Sequence, residues 1–220
     1  SGRKAGGCLQ GSFIPENGAL GEIRIHGLCL RRTVVTRCQI TCKFGYFPSN
    51  ESQSMSQTRS AYRNEMGLSG DGILKDTLQK QIEEVGLQEK VILLGNQNNP
   101  YKYLYQSDCF VFSSRREGLP TVLLEALACG LPIISSDCKS GPREILAPGS
   151  NISFQLKDQI ELVEYGVLVP VDDRERLVEA MKQMINKPSL RDQYAQKAHV
   201  RIDDFDVKKI SQQYEEICFR

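Results

Sequence analysis

Residues Ser113-Ser114-Arg115-Arg116-Glu117-Gly118-Leu119-Pro120-Thr121-Val122-Leu123-Leu124-Glu125-Ala126-Leu127-Ala128-Cys129-Gly130-Leu131-Pro132 decide how the chain reads. They join an apolar run, residues 109–112, to an amphipathic helix through a turn that holds one carboxylate, Glu117. Pro120 stands near the first helical position, where its missing N–H costs little, and Gly130 stops the helix. A second carboxylate, Glu125, lies inside the helix, four residues after Thr121 and on the same face. The first-turn N–H groups have no helical partner and attract an anion. Gly118 lets the backbone approach a ligand closely. Glu117 outside the helix mouth suits hydroxyls, Glu125 suits the vicinal hydroxyls of a ribose, and the mouth between them suits a phosphate. That layout fits a nucleotide-activated sugar. A lone Glu is more often a solvated helix residue or a charge partner of the helix end; the pair in this loop–helix setting favours binding.

The alternation around this stretch is regular. Residues 74–85 have helical spacing, with Leu74, Leu78, Ile82 and Val85 on one face, closed by Gly86. Residues 91–94 read as a strand ending at Gly95, 101–106 as a short helix and 109–112 as a strand. A helix over 121–129, a strand over 132–135, a helical turn over 142–146 and a strand over 165–171 follow. Asp172 or Asp173 caps a helix over 174–185, and 190–198 and 207–218 are further helices. Continuous apolar strands alternating with amphipathic helices predict an α/β fold: a Rossmann-like parallel sheet with helices on both faces. Ligands of such sheets sit beyond the carboxyl ends of the strands, so Gly95 and the loops 113–117 and 136–141 are expected to converge on one crevice.

Other candidates carry less. The turn Ser140-Gly141-Pro142-Arg143-Glu144 offers amides to a sugar or phosphate. Arg143 suits either a phosphate or a helix-start salt bridge with Glu144. Arg115 and Arg116 read as surface charges rather than phosphate clamps, and Lys139 has no assigned role. Gly70-Asp71-Gly72 is a tight turn, not a dinucleotide fingerprint. His26 and His199 sit in poor contexts for catalysis, and no Ser/His/Asp arrangement is evident.

Composition sets the bounds. The chain has 220 residues, 25% charged and 40% hydrophobic, with a net charge of +1, so bulk charge does not argue for nucleic acid or an anionic membrane. No run approaches the ~20 apolar residues that span a bilayer, and the first residues lack the apolar core of a secretory signal. Eight scattered cysteines read as reduced thiols of a cytosolic protein. Cys29, Cys38 and Cys42, with His26 or Cys8 as fourth ligand, make a weak zinc set; incidental cysteines are the expectation, and no metal site is expected. Residues 1–67 carry nine Lys and Arg against four Glu and no Asp, a charge of +5, whereas 68–220 carry −4. Residues 23–30 and 33–40 are possible short strands, and 45–66 read as loop or disorder. The division expected is therefore an irregular N-terminal segment over 1–67, non-native in texture as a frameshifted frame would be, followed by a nucleotide-sugar-binding domain over 68–220. The basic excess hints at RNA, but no aromatic-basic interleaving supports it.

The segment from about Gly70 to Cys218 resembles the C-terminal domain of glycosyltransferase family 4, retaining enzymes of the GT-B fold. The motifs that carry this are Gly70-Asp71-Gly72, Val91-Ile92-Leu93-Leu94-Gly95, the E-x7-E pair Glu117 and Glu125, Ala128-Cys129-Gly130-Leu131-Pro132, Asp137-Cys138-Lys139-Ser140-Gly141-Pro142-Arg143-Glu144-Ile145 and Gly166-Val167-Leu168-Val169-Pro170. The resemblance implies that Glu117 contacts the donor sugar as the catalytic acidic residue, with the Gly118 and Leu119 amides near sugar and phosphate. Thr121 and Val122 would present helix amides to the diphosphate, Glu125 would bind the ribose, and Leu94 and Gly95 would lie near the base. Arg143 joins this donor-binding set. No cofactor and no metal are implied: helix end and basic side chains would stabilise the leaving diphosphate.

The departures are as specific. The G-R-x-x-x-x-K-G pattern that neutralises the diphosphate in the family is not found in residues 1–69, Ile73 replaces the usual Pro, and the strand expected before Gly70 is missing from the polar stretch 63–69. No counterpart of the family's N-terminal acceptor domain is expected within these residues. The expectation is a glycosyltransferase donor-binding domain, weakly active or inactive alone, whose intact relative transfers a sugar with retention to a polysaccharide, lipopolysaccharide or glycolipid, in the cytoplasm at the inner face of the membrane. The expected partners are a nucleotide sugar and a glycan or glycolipid acceptor, with no nucleic acid and no transmembrane segment. The alternatives are a non-catalytic subunit docking on a separate acceptor-binding protein, and a GT-B sugar-nucleotide epimerase; the latter needs a His in the cleft that the sequence does not offer.

Overall fold

A computed structural model describes residues 39–44, 64–69 and 75–219. Cys8, His26, Cys29, Cys38 and Gly70 to Leu74 lie outside the described residues, and with them the Gly70-Asp71-Gly72 turn and all of the zinc set but Cys42. The strands are β1 (Gln39–Phe44), β2 (Asn64–Ser69), β3 (Val91–Gly95), β4 (Cys109–Phe112), β5 (Ile133–Ser136), β6 (Glu161–Val163) and β7 (Gly166–Val169). The helices are α1 (Lys75–Glu84), α2 (Tyr101–Leu104), α3 (Thr121–Ala128), α4 (Pro142–Leu146), α5 (Arg174–Asn186), α6 (Pro188–Ile202) and α7 (Val207–Cys218).

One sheet holds all seven strands in the order β3-β2-β1-β4-β5-β7-β6. Strands β2, β3, β4, β5 and β7 run one way; β1 is antiparallel to both β2 and β4, and β6 is antiparallel to β7. The α/β architecture read from the alternation is the observed one, with two strands reversed. The strand found missing before Gly70 is present as β2. It spans the Gly67/Leu68 division, and its first residues, Asn64 to Met66, fall in the stretch read as loop. Little in its side chains announces it; its ladder to β1 and β3 comes from distant chain, which overrides weak local preference. Only Met66 and Leu68 show the alternation, and both pack on the core.

The apolar strands are buried on both faces, and their period of two sorts them into two cores. Cys109, Val111, Ile134, Val167 and Val169 join Ile82, Ala180, Met181, Met184 and Tyr194 on the side of α1 and α5. Phe110, Phe112, Ile133 and Leu168 join Leu123, Leu127, Ile145 and Leu146 on the side of α3 and α4. Phe110 and Phe112 stack with ring centroids 6.4 Å apart. Each fully buried Leu, Ile or Phe contributes on the order of 2 kcal/mol. The chain moves from β2 to β3 over one face and from β4 to β5 over the other. The order therefore reverses at the centre, where β1 sits, and the carboxyl ends of β3, β4, β5 and β7 open on the same side.

Helix α3 ends as the sequence dictates. Gly130, at φ 71°, makes the left-handed turn; its N–H bonds the Leu127 carbonyl at 2.9 Å and Leu131 N–H bonds that of Ala126 at 3.0 Å. A Cβ on Gly130 would lie 2.8 Å from His199 Nε2. His199 thus packs on the end of α3 remote from the crevice, in keeping with its poor catalytic context. Asp173, the second of the two expected caps, accepts the Arg176 N–H at 3.0 Å. Cys109, Cys129, Cys138 and Cys218 are thiols, none in a disulfide.

Candidate donor-binding site

Two strand-to-helix turns meet at the crevice. The first runs from β4 to α3 through Ser113–Pro120, the second from β5 to α4 through Asp137–Gly141. Gly141 binds them together. Its backbone stands at φ 83°, ψ −67°, a γ-turn conformation that side-chain-bearing residues avoid. A Cβ there would lie 2.4 Å from the Gly118 carbonyl oxygen and 2.3 Å from Pro120 Cδ. No side chain fits between the two turns, so the Ser140-Gly141 turn presses on the mouth of α3. Ser140, also at positive φ (69°), is exposed beside it.

The mouth itself is open. Pro120 occupies the N-cap position of α3 with an extended backbone, and no side chain caps the helix. Thr121 is exposed and Val122 half-buried in the first turn. Gly118 and Leu119 are exposed, and a Cβ on Gly118 would meet nothing within 4 Å. Internal packing therefore does not demand glycine at 118. Glu117 is half-buried, and its Oε1 accepts the Ser114 hydroxyl at 2.6 Å.

Glu125 lies one turn into α3, half-buried, and burial raises its carboxyl above the ordinary glutamate value. Its charge in turn raises the Tyr101 phenol, and after burial it is the second cause that raises the Cys129 thiol. Tyr101 opens α2, so the start of α2 lies within reach of the Glu125 charge. The loop from β3 to α2 is folded by Gln97, whose amide donates to the Leu94 carbonyl and accepts Tyr103 Oη at 3.1 Å. Leu94 is half-buried and Gly95, at φ 64°, is buried at the strand end. The structure thus groups Glu117, Gly118, Leu119, Thr121 and Val122 at one helix mouth, and sets Glu125 against the β3–α2 connection that follows Leu94 and Gly95.

Arg143 is not part of that grouping. Its guanidinium donates to both carboxylate oxygens of Asp137 at 3.0 and 2.8 Å, to Glu161 at 2.7 Å and to Ser150 Oγ at 3.3 Å, and it lies 5.2 Å over the Phe154 ring. Arg143 and Asp137 are 3% and 1% exposed. Burial alone would lower the guanidinium's affinity for its proton, and the two carboxylates more than offset that, so it stays charged. Both expected roles, the phosphate contact and the pair with Glu144, give way to this buried network, because the planar fork matches Asp137 from six residues away. Glu144 is exposed, while its carbonyl and that of Ile145 accept Arg201 of α6 at 2.8 and 2.7 Å. Arg115 pairs at the surface with Asp172 at 2.6 Å, both about half exposed, as its reading as a surface charge requires.

Ser114, Ser136 and Asp137 lie in loops expected at the crevice but carry no individual role in the sequence reading, and neither does Tyr101. Ser136, the last residue of β5, donates its hydroxyl to the Ser114 carbonyl. The S-x-x-E spacing of Ser114 and Glu117 is the available signal, and here the turn brings the two side chains together.

The fold defines a Rossmann-like α/β domain of the GT-B kind. Residues 53–201 match the family model described as glycosyl transferases group 1, and the chain belongs to that family. It is 42% identical over 161 residues to an uncharacterised glycosyltransferase of Methanocaldococcus jannaschii, a match covering 66% of this chain and 39% of that protein. It is 39% identical over 142 residues to the N-acetylgalactosamine-N,N'-diacetylbacillosaminyl-diphospho-undecaprenol 4-alpha-N-acetylgalactosaminyltransferase of Campylobacter jejuni, covering 64% and 35% of the two chains. The chain thus spans well under half the length of these curated relatives. Among solved structures, Anabaena HepE in complex with UDP matches at TM-score 0.57 and 23% identity, over 69% of this chain and 40% of that one. That likeness shows the fold. No helix among the described residues is long and apolar enough to cross a membrane.

Proposed function

We propose that this domain binds the nucleoside-diphosphate sugar of a retaining family 4 glycosyltransferase, for transfer to a polysaccharide, lipopolysaccharide or glycolipid acceptor at the inner face of a membrane. The observation that carries the reading is the uncapped mouth of α3, flanked by Glu117 and Glu125 and closed on one side by the Ser140-Gly141 turn. In this reading the Thr121 and Val122 amides and the helix dipole meet the diphosphate, so its charge is neutralised without a metal. Glu125 accepts the ribose hydroxyls, Leu94 and Gly95 flank the base, and Glu117 with the Gly118 and Leu119 amides holds the sugar. Arg143 supports the site by closing the β5–α4 turn rather than by touching the donor.

The names of relatives favour the acceptor class. A lipopolysaccharide 1,6-galactosyltransferase of Salmonella typhimurium is 40% identical over 86 residues, 37% of this chain and 24% of that protein. Calorimetric titration with UDP, GDP and their sugars tests the reading: the wild type binds one nucleotide series and Glu125→Ala binds it about tenfold more weakly, the worth of a hydrogen bond to a charged group. Equal affinity of the two proteins removes Glu125 from the site.

A further inference from the structure

The Glu117 carboxylate is held in place by the sheet. The 2.6 Å contact from Ser114 Oγ to Oε1 has the length of a charge-assisted O–H···O bond. The same hydroxyl lies 3.3 Å from the Arg116 carbonyl, but it carries one proton, and the shorter contact takes it. Ser114 is anchored in turn, because its carbonyl accepts the hydroxyl of Ser136. Ser136 is 3% exposed and ends β5, which pairs with β4 up to Phe112↔Ser135. Among the described residues Glu117 Oε2 has no hydrogen-bond or ion-pair partner. Cys138, next in this cluster, is pushed up to about 11 by burial first and the Glu117 charge second. It therefore stays a neutral thiol and does not repel the carboxylate.

We propose that Ser136 and Ser114 form a positioning relay that fixes the direction of Glu117, leaving Oε2 as the acceptor turned to the donor sugar. The inference rests on the proposed function. A glutamate on a loop has rotamers to lose when it grips a ligand; tying one oxygen to a strand end removes that cost beforehand, which is how preorganisation raises affinity. The relay acts on the sugar and not on the nucleotide, since the ribose and diphosphate are assigned to Glu125 and the α3 amides.

The test measures the ratio of affinities for UDP and UDP-glucose, and for GDP and GDP-mannose, by calorimetry on the full chain. Ser114→Ala is expected to shift the ratio about tenfold against the sugar nucleotide, with nucleotide affinity and melting temperature unchanged. Ser114→Thr, which keeps the hydroxyl, restores the ratio, Ser136→Ala shifts it in the same direction by less, and Glu117→Ala shifts it at least as far as Ser114→Ala. An unchanged ratio in Ser114→Ala, beside a shifted one in Glu117→Ala, overturns the relay and leaves the function standing. Affinities for nucleotide and sugar nucleotide that fall together in Ser114→Ala show a structural role and also overturn it. A wild type that binds neither pair overturns the function and the relay with it.

Discussion

The β4–α3 and β5–α4 turns are built from similar text and have opposite fates. Each leaves a buried strand, carries an acid and a Gly, and enters a helix at a Pro. In the first, Glu117 accepts one hydroxyl, from Ser114, through Oε1. In the second, Asp137 turns inward, where it takes both arms of Arg143 and the Leu156 N–H at 2.8 Å. The difference lies in supply: a guanidinium six residues downstream satisfies Asp137, whereas the arginines next to Glu117 project to the surface. One turn is thereby closed on itself; the other, in the proposed function, receives the donor. Gly141 is where they touch.

The largest expected effect comes from breaking the closed turn. Arg143→Met leaves Asp137 charged and buried, and costs about 3–5 kcal/mol, read by chemical denaturation. Adding Asp137→Leu to that variant recovers much of the loss, because an apolar pair needs no compensation; an equally unstable double variant would show that the turn depends on the pair for its shape. Gly141→Ala, strained by its φ and by the Gly118 oxygen, loses roughly 2 kcal/mol or more and weakens nucleotide-sugar binding along with stability. Gly118→Ala sharpens the contrast, since open space surrounds its Cβ. Its stability stays within about 0.5 kcal/mol of wild type while sugar-nucleotide affinity falls several-fold; undiminished binding would remove residue 118 from the site.

The subtlest contrast is with pH. Glu125 has its carboxyl raised by burial, above the 4.5 of an ordinary glutamate. In the proposed role the ionised carboxylate accepts from both vicinal ribose hydroxyls more strongly than the neutral acid does, so nucleotide affinity falls as pH drops through that raised value. The sign for folding is opposite: the folded state holds this proton more tightly than the unfolded chain, so protonating Glu125 stabilises the fold as it weakens binding. Titrating affinity and melting temperature downward from neutral pH should show the two moving apart as Glu125 takes up its proton, and Glu125→Gln removes the divergence.

What could be read from the sequence was what local pattern encodes. Strand β4 and helices α3, α4 and α7 stand where the apolar runs, Pro and Gly put them. The place of Glu125, four residues after Thr121 inside α3, was legible because helical geometry is fixed. Strand β6 escaped notice: it has three residues, exposes Leu162, and exists only as the outer arm of a hairpin with β7. The burial of Arg143 escaped for a related reason, since Glu161 approaches from eighteen residues away and no periodicity records such a partner. Ser114 was visible in principle but was read as part of a polar turn.

The reversed strand at the centre of the sheet has its own consequence. In the described sheet the β2–β3 pair is joined to the β4–β5–β7–β6 block through β1, which pairs with β4 over Ile40 to Cys42. A chain shortened to begin after Phe44 would bare the facing rims of β2 and β4 at once, two sticky edges in the middle of the molecule. Such a product would recruit a strand from a neighbour, and its natural end is self-association rather than a smaller soluble domain.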